Sequence, residues 1–180
     1  SQTSDENGTD MRAVCQTLLP EYPVIFTQDF GGPMNDEEMN FLYNSVDVYI
    51  NLASNEGFGL GSLEALTVGT PIVVNVTGGL QDQCGWVKPI FPSNISCQGS
   101  PLTPYIFDDR CSFEDAGDAL YEWYDMGTEE REKCGELGRQ WVLGDDAMMT
   151  SKHLSKKYIE AMETAFENWK PKKKYTMEVI

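Results

Sequence analysis

The chain has 180 residues, 41% hydrophobic and 23% charged, which suits one folded domain with a substantial core and excludes wholesale disorder. With 13 Lys and Arg against 29 Asp and Glu, the formal net charge is −16, which argues against a nucleic-acid surface, since that needs clustered cations. No run of about 18 apolar residues offers a membrane span.

In chain order, the polar residues Ser1–Asp10 read as a loop entering a helix and not as a signal peptide. Asp10–Leu19 predicts a helix stopped at Pro20, and Pro23–Thr27 a short buried strand. Asn35, with Glu38 three positions on, is a capping-box start for a helix over Asp36–Ser45. Val46, Val48, Ile50 and Leu52 then alternate with Asp47, Tyr49 and Asn51 as a strand. A glycine-rich turn follows, then a helix over Gly61–Val68, a buried parallel-type strand over Ile72–Val76 and a second glycine turn at Gly78-Gly79. Strand, helix and strand in this order call for right-handed crossovers and a parallel sheet, so the fold class is α/β: a Rossmann-like parallel sheet flanked by helices. Such sheets bind ligands beyond the carboxyl ends of their strands, where both glycine turns fall.

Residues 85–111 carry Pro89, Pro92, Pro101 and Pro104 and read as a loop-rich insertion that covers the sheet, with Tyr105-Ile106-Phe107 as one last short strand. A lid or partner surface built on Trp86, Phe91 and Tyr105 is the alternative. Three helices complete the chain: Ser112–Met126, one starting at Thr128, and a C-terminal helix over 145–169. Met148, Met149, Leu154, Tyr158, Ile159, Met162 and Phe166 form a stripe on the last of these, the pattern of core packing or of a partner contact. The tail 170–180, with Lys170, Lys172, Lys173 and Lys174, reads as solvated. All 180 residues are expected to form a single domain.

Cysteines 15, 84, 97, 111 and 134 are odd in number and include no C-x-x-C pair, so reduced thiols and a cytoplasmic location are expected. A metal near Cys84, Cys97 and Cys111 would lack imidazole partners, because His153 is the one histidine of the chain. Glycosylation sequons at Asn7, Asn75 and Asn94 read as chance, Asn75 lying in a buried strand.

The chemistry concentrates in Asn55-Glu56-Gly57-Phe58-Gly59-Leu60-Gly61-Ser62-Leu63-Glu64. A glycine turn lets backbone approach a ligand closely, and the unpaired N–H groups of the helix that follows face whatever anion sits there; a diphosphate fits. Glu64, expected in the first helical turn, could take two hydrogen bonds from vicinal ribose hydroxyls. Glu56, ahead of the turn, lies where a sugar would sit. On any acidic helix, two glutamates eight apart also occur as a solvated face. A glycine-rich strand-to-helix turn is common by itself, and the combination is what carries the specificity.

Glu56-Gly57-Phe58-Gly59-Leu60, Glu64-Ala65 after a gap of three, Gly69-x-Pro71 and Gly78-Gly79 resemble the donor-binding half of retaining, metal-independent GT-B-type glycosyltransferases. Family four and the glycogen synthases are the nearest kin. The resemblance covers about residues 9–125 and is strongest over Tyr43–Asp82. It implies one half of a GT-B fold that binds a nucleotide diphosphate sugar as co-substrate, without a metal or other cofactor. The sugar would pass to a hydroxyl acceptor with retention. Glu56 is the implied catalytic residue on the transferred sugar, Glu64 the ribose ligand, and Phe58, Gly59 and Leu60 the diphosphate amides. Gly57, Gly78 and Gly79 line the same cleft.

The family's arginine–lysine pair and its acceptor-binding half have no counterpart between Ser1 and Ile180. The resemblance therefore implies an acceptor-binding domain or partner chain. Two other readings stay open: a non-catalytic nucleotide-sugar-binding module, and a nucleotide-sugar epimerase-like domain. The donor sugar, its base and the acceptor are not legible in the sequence.

Overall fold

The computed structural model describes residues 9–84 and 88–172. The chain divides into two compact units, one ending at Ser45 and the other beginning at Val46.

In the first unit, α1 (Met11–Leu18) starts where the Asp10 carboxylate accepts from the amides of Arg12 and Ala13, both at 3.1 Å. Residues 23–26 are irregular and run into a single 3-10 turn at Thr27–Phe30, so the strand expected over Pro23–Thr27 is absent. Val24 and Ile25 are exposed, and no described strand pairs with this segment; an apolar run without a ladder partner does not make a strand. Arg12 pairs with Asp29 and lies 4.6 Å over the Phe26 ring. Helix α2 (Asp36–Ser45) matches its expected bounds, and its capping box is reciprocal. Asn35 Oδ1 accepts from the Glu37 and Glu38 amides at 3.0 Å, while Glu38 Oε2 accepts from the Asn35 amide at 2.8 Å.

The second unit holds a three-stranded parallel sheet in the order β1 (Tyr49–Asn51), β2 (Ile72–Asn75), β3 (Lys88–Ile90). Tyr49 stands opposite Ile72, and Asn75 opposite Ile90. All four residues of β2 are buried, as an inner strand covered on both faces requires. Helix α3 (Leu60–Val68) connects β1 to β2. Val73 and Ile90 pack with Ala116, Ala119 and Trp123 of α4 (Phe113–Asp125). Helix α5 (Thr128–Leu143) is fastened to both ends of this layer. Arg131 reaches Asp47 at 2.6 Å and the Trp123 carbonyl at 3.1 Å, and Arg139 Nε donates to the Thr67 carbonyl at 2.9 Å. The α/β class and the parallel sheet flanked by helices thus stand as expected.

Other elements differ from expectation. The segment read as loop-rich holds β3 and an antiparallel ribbon of β4 (Asn94–Ser100) and β5 (Thr103–Arg110), with Pro101-Leu102 as its tight turn; the short strand expected at Tyr105-Ile106-Phe107 lies within β5. Trp86 lies outside the described residues. The C-terminal helix α6 spans Ser151–Asn168 and starts later than Asp145, because Met148 takes φ 54 and the Thr150 side chain supplies the cap. Met148 and Met149 therefore precede the helix. No residue of α6 is buried, so its stripe is not core packing within this chain. The five cysteines are free thiols, and among the described residues no helix is long and apolar enough to cross a membrane.

Candidate functional site

Beyond the carboxyl end of β1 the chain runs through Ala53–Phe58 to Gly59, whose φ of 86 is a left-handed conformation that a side chain would strain. That conformation starts α3 at Leu60, one residue earlier than Gly61. No side chain caps this end, so no capping group takes up the first amides of α3.

Beyond the carboxyl end of β2, Val76-Thr77 leads to Gly78, with φ 49. The two turns meet backbone to backbone. The Gly79 amide donates to the Glu56 carbonyl at 2.9 Å, and a Cβ on Gly78 would stand 2.0 Å from that same oxygen. Glu56, Gly57, Phe58, Gly59, Leu60, Gly78 and Gly79 are thereby brought together at one end of the parallel sheet. A further clamp comes from Gln83 in the 3-10 segment Gly78–Gln83. Its side-chain amide donates to the Phe58 carbonyl at 2.5 Å and to the Gly59 carbonyl at 3.2 Å. Gln83 is wholly buried, and its Oε1 has no hydrogen-bond partner.

The two glutamates are placed differently. Glu56 is half-buried, and its Oε1 accepts from the Phe58 amide at 3.4 Å. Glu64 is exposed, and the earlier start of α3 moves it past the first turn, which holds no acid. The two still share an electrostatic neighbourhood. Burial pushes the Tyr49 hydroxyl pKa up, the Ser62 hydroxyl opposes it by hydrogen bonding, and the carboxylates of Glu56 and Glu64 both add to the rise. Burial likewise raises the Cys84 thiol, with Asp82 adding to it, which keeps that sulfur protonated and poor as a nucleophile at neutral pH. Among the described residues, no group of three or more His, Cys, Asp or Glu side chains could hold a metal ion.

Several supports escape sequence reasoning. Asn75 and Thr77, both buried, hold the approaches to the turns. Asn75 Nδ2 donates to the carbonyls of Ala53 at 3.0 Å and Asp109 at 3.1 Å, and the Thr77 hydroxyl donates to Asp109 Oδ2 at 2.7 Å. Two polar residues inside the run Ile72-Val73-Val74-Asn75-Val76-Thr77 were a usable signal, since a buried polar group must find a partner. Asp108, Asp109 and Gln83 carried none, because their partners are distant in sequence.

Comparison with known proteins bears on the same segment. Over 93 residues, the chain is 34% identical to an uncharacterized glycosyltransferase of Methanocaldococcus jannaschii, covering 48% of this chain and 24% of that protein. It is 35% identical over 75 residues to a D-inositol 3-phosphate glycosyltransferase of Corynebacterium urealyticum, covering 42% and 18%. It is 37% identical over 51 residues to a mannosylfructose-phosphate synthase of Agrobacterium fabrum, covering 28% and 11%. The chain thus aligns with a quarter or less of each of these relatives. The model of the family described as glycosyl transferases group 1 matches residues 10–141, nearly three-quarters of the chain and all of the glycine-turn site, and the chain belongs to that family.

Proposed function

We propose that this domain binds the nucleotide diphosphate sugar of a retaining hexosyl transfer, and that the hydroxyl acceptor is presented by a half outside residues 1–180. The observation that carries this reading is the interlocking of two glycine turns beside an uncapped helix start. In a chain of net charge −16, an anion there would be met by backbone amides of a helix start that no side chain caps.

Transfer develops negative charge on the departing diphosphate. Amides already fixed by the fold stabilise it without reorganising, and no metal is called on. The Phe58 amide now faces the Glu56 carboxylate at 3.4 Å, a long contact that an incoming phosphate displaces. Glu56 is then free to orient sugar hydroxyls and to face the positive charge that builds at the anomeric carbon. Glu64 takes the ribose hydroxyls from its exposed position on α3. The apolar face of α6 is where the acceptor half docks.

The direct test is calorimetry of UDP, GDP and ADP on residues 1–180. Glu64→Ala is expected to weaken whichever nucleotide binds by about 1–3 kcal/mol, the worth of a charge-assisted hydrogen-bond partner. Unchanged affinity would return Glu64 to the solvated surface. A turnover assay with the acceptor half added then separates a transferase from a module that only binds.

A further inference from the structure

Each glycine turn is entered through a residue held by the β4–β5 ribbon. Asn55, immediately before Glu56, donates from Nδ2 to Asp108 Oδ1 at 2.5 Å and to the Phe107 carbonyl at 3.2 Å. Thr77, immediately before Gly78, donates its hydroxyl to Asp109 Oδ2 at 2.7 Å. The Asp109 backbone closes the circuit: its amide donates to the Ser54 carbonyl at 3.0 Å, and its carbonyl accepts from Asn75 Nδ2 at 3.1 Å. Two adjacent residues of β5 thus grip both loops, one loop each by side chain.

The ribbon is otherwise poorly covered. Ile95, Leu102, Tyr105, Ile106 and Phe107 are exposed, whereas Asp108, Asn75 and Thr77 at its root are buried. Burial makes the root bonds count, since a buried hydroxyl or amide that loses its partner gives up the full cost of its desolvation. An exposed ribbon with a buried polar root is built to hold its neighbours and adds little to the core.

We infer that the β4–β5 ribbon is a brace for the nucleotide-sugar site and that Asp109 is its latch: a positioning residue that sets the spacing of the Glu56 and Gly78 turns through Thr77, Ser54 and Asn75. The inference rests on the donor-binding reading only for what the turns hold, not for what holds the turns.

The test uses residues 1–180 and three variants. Asp109→Ala removes the acceptor, Thr77→Val removes the donor at nearly constant shape, and Asp109→Asn keeps an oxygen that the Thr77 hydroxyl can still reach. Amide hydrogen exchange is followed by mass spectrometry. Asp109→Ala and Thr77→Val are each expected to speed exchange about tenfold in both 53–60 and 77–83, leaving 128–143 unchanged, with Asp109→Asn close to the parent. Acceleration confined to 94–110, or spread evenly over the chain, overturns the brace.

UDP, GDP and ADP binding is measured on the same samples. Where the parent binds one of them, each disabling variant should weaken it about tenfold, and the double variant no more than either single one, because one bond is lost in all three. Loosened turns with full affinity overturn the positioning role. If the parent binds none of the three, the donor reading falls, and the exchange pattern still decides whether Asp109 braces the turns.

Discussion

The glycine-turn end of the sheet and helix α6 are built on opposite terms. At the turns most bonds end on a backbone carbonyl: the Gly79 amide on that of Glu56, the Gln83 side chain on those of Phe58 and Gly59, the Asn75 side chain on those of Ala53 and Asp109. Helix α6 has 18 residues, a stripe of Leu154, Tyr158, Ile159, Met162 and Phe166, and not one buried side chain. The first region is specified within the chain and lies inside the family match at 10–141; the second lies beyond it. A site for a small ligand must be preorganised by its own polypeptide, whereas an apolar face left open gains its stability from whatever covers it.

The largest expected break of this contrast is Gly78→Ala. The left-handed backbone costs an alanine about 1–2 kcal/mol, and parting the turns to clear the Glu56 carbonyl, 2.0 Å from the new Cβ, costs about 1–3 more. A loss of ~4 kcal/mol in urea unfolding is expected, with nucleotide affinity lost alongside. Stability within about 1 kcal/mol of the parent would mean that the turns are not locked to each other.

Next in size is Leu66→Ala on α3. Leu66 is 1% exposed, and truncating a leucine so placed costs about 2–5 kcal/mol through lost transfer energy and the cavity left behind. Because α3 carries the amides of the site, chemical denaturation and nucleotide binding should decline together. A stability loss without any change in affinity would detach the site from the packing of α3.

How much of this was legible in the sequence follows the same division. Helix α2 matched residue by residue because its signal is local: Asn35 and Glu38 each satisfy the other's end of one turn. The parallel sheet was legible because consecutive apolar residues such as Ile72-Val73-Val74 suit a strand only if both faces are covered. Of the ribbon only the Tyr105-Ile106-Phe107 part of β5 was legible, since β4 and β5 pair through a slipped register between Gln98 and Ser100, and their prolines read as loop. Nor did Val24 and Ile25 reveal that they lack a strand partner, because hydropathy reports apolarity and not the availability of a ladder. In the site, the glycines and both glutamates were visible as a local string, yet Glu64 slid out of the first turn when Gly59 started the helix early. The Asp109–Thr77 bond spans 32 positions and left no local trace.

The smallest expected effect is the most discriminating for α6. Met162→Ala removes a large apolar side chain that is 53% exposed, in a helix with no buried residue. The same truncation in a core would cost about 2–5 kcal/mol, but here little surface is withdrawn from water and no cavity can form, so a change within about 0.5 kcal/mol is expected for residues 1–180. Alanine is also the better helix former, by a few tenths of a kcal/mol at most. Urea unfolding of parent and variant side by side decides it. A loss above about 2 kcal/mol would show that α6 already has a cover in solution, such as a second copy of the chain, and the transition would then depend on protein concentration. A near-zero change, followed by a clear loss of association when the proposed acceptor half is supplied, would instead assign the stripe to that partner.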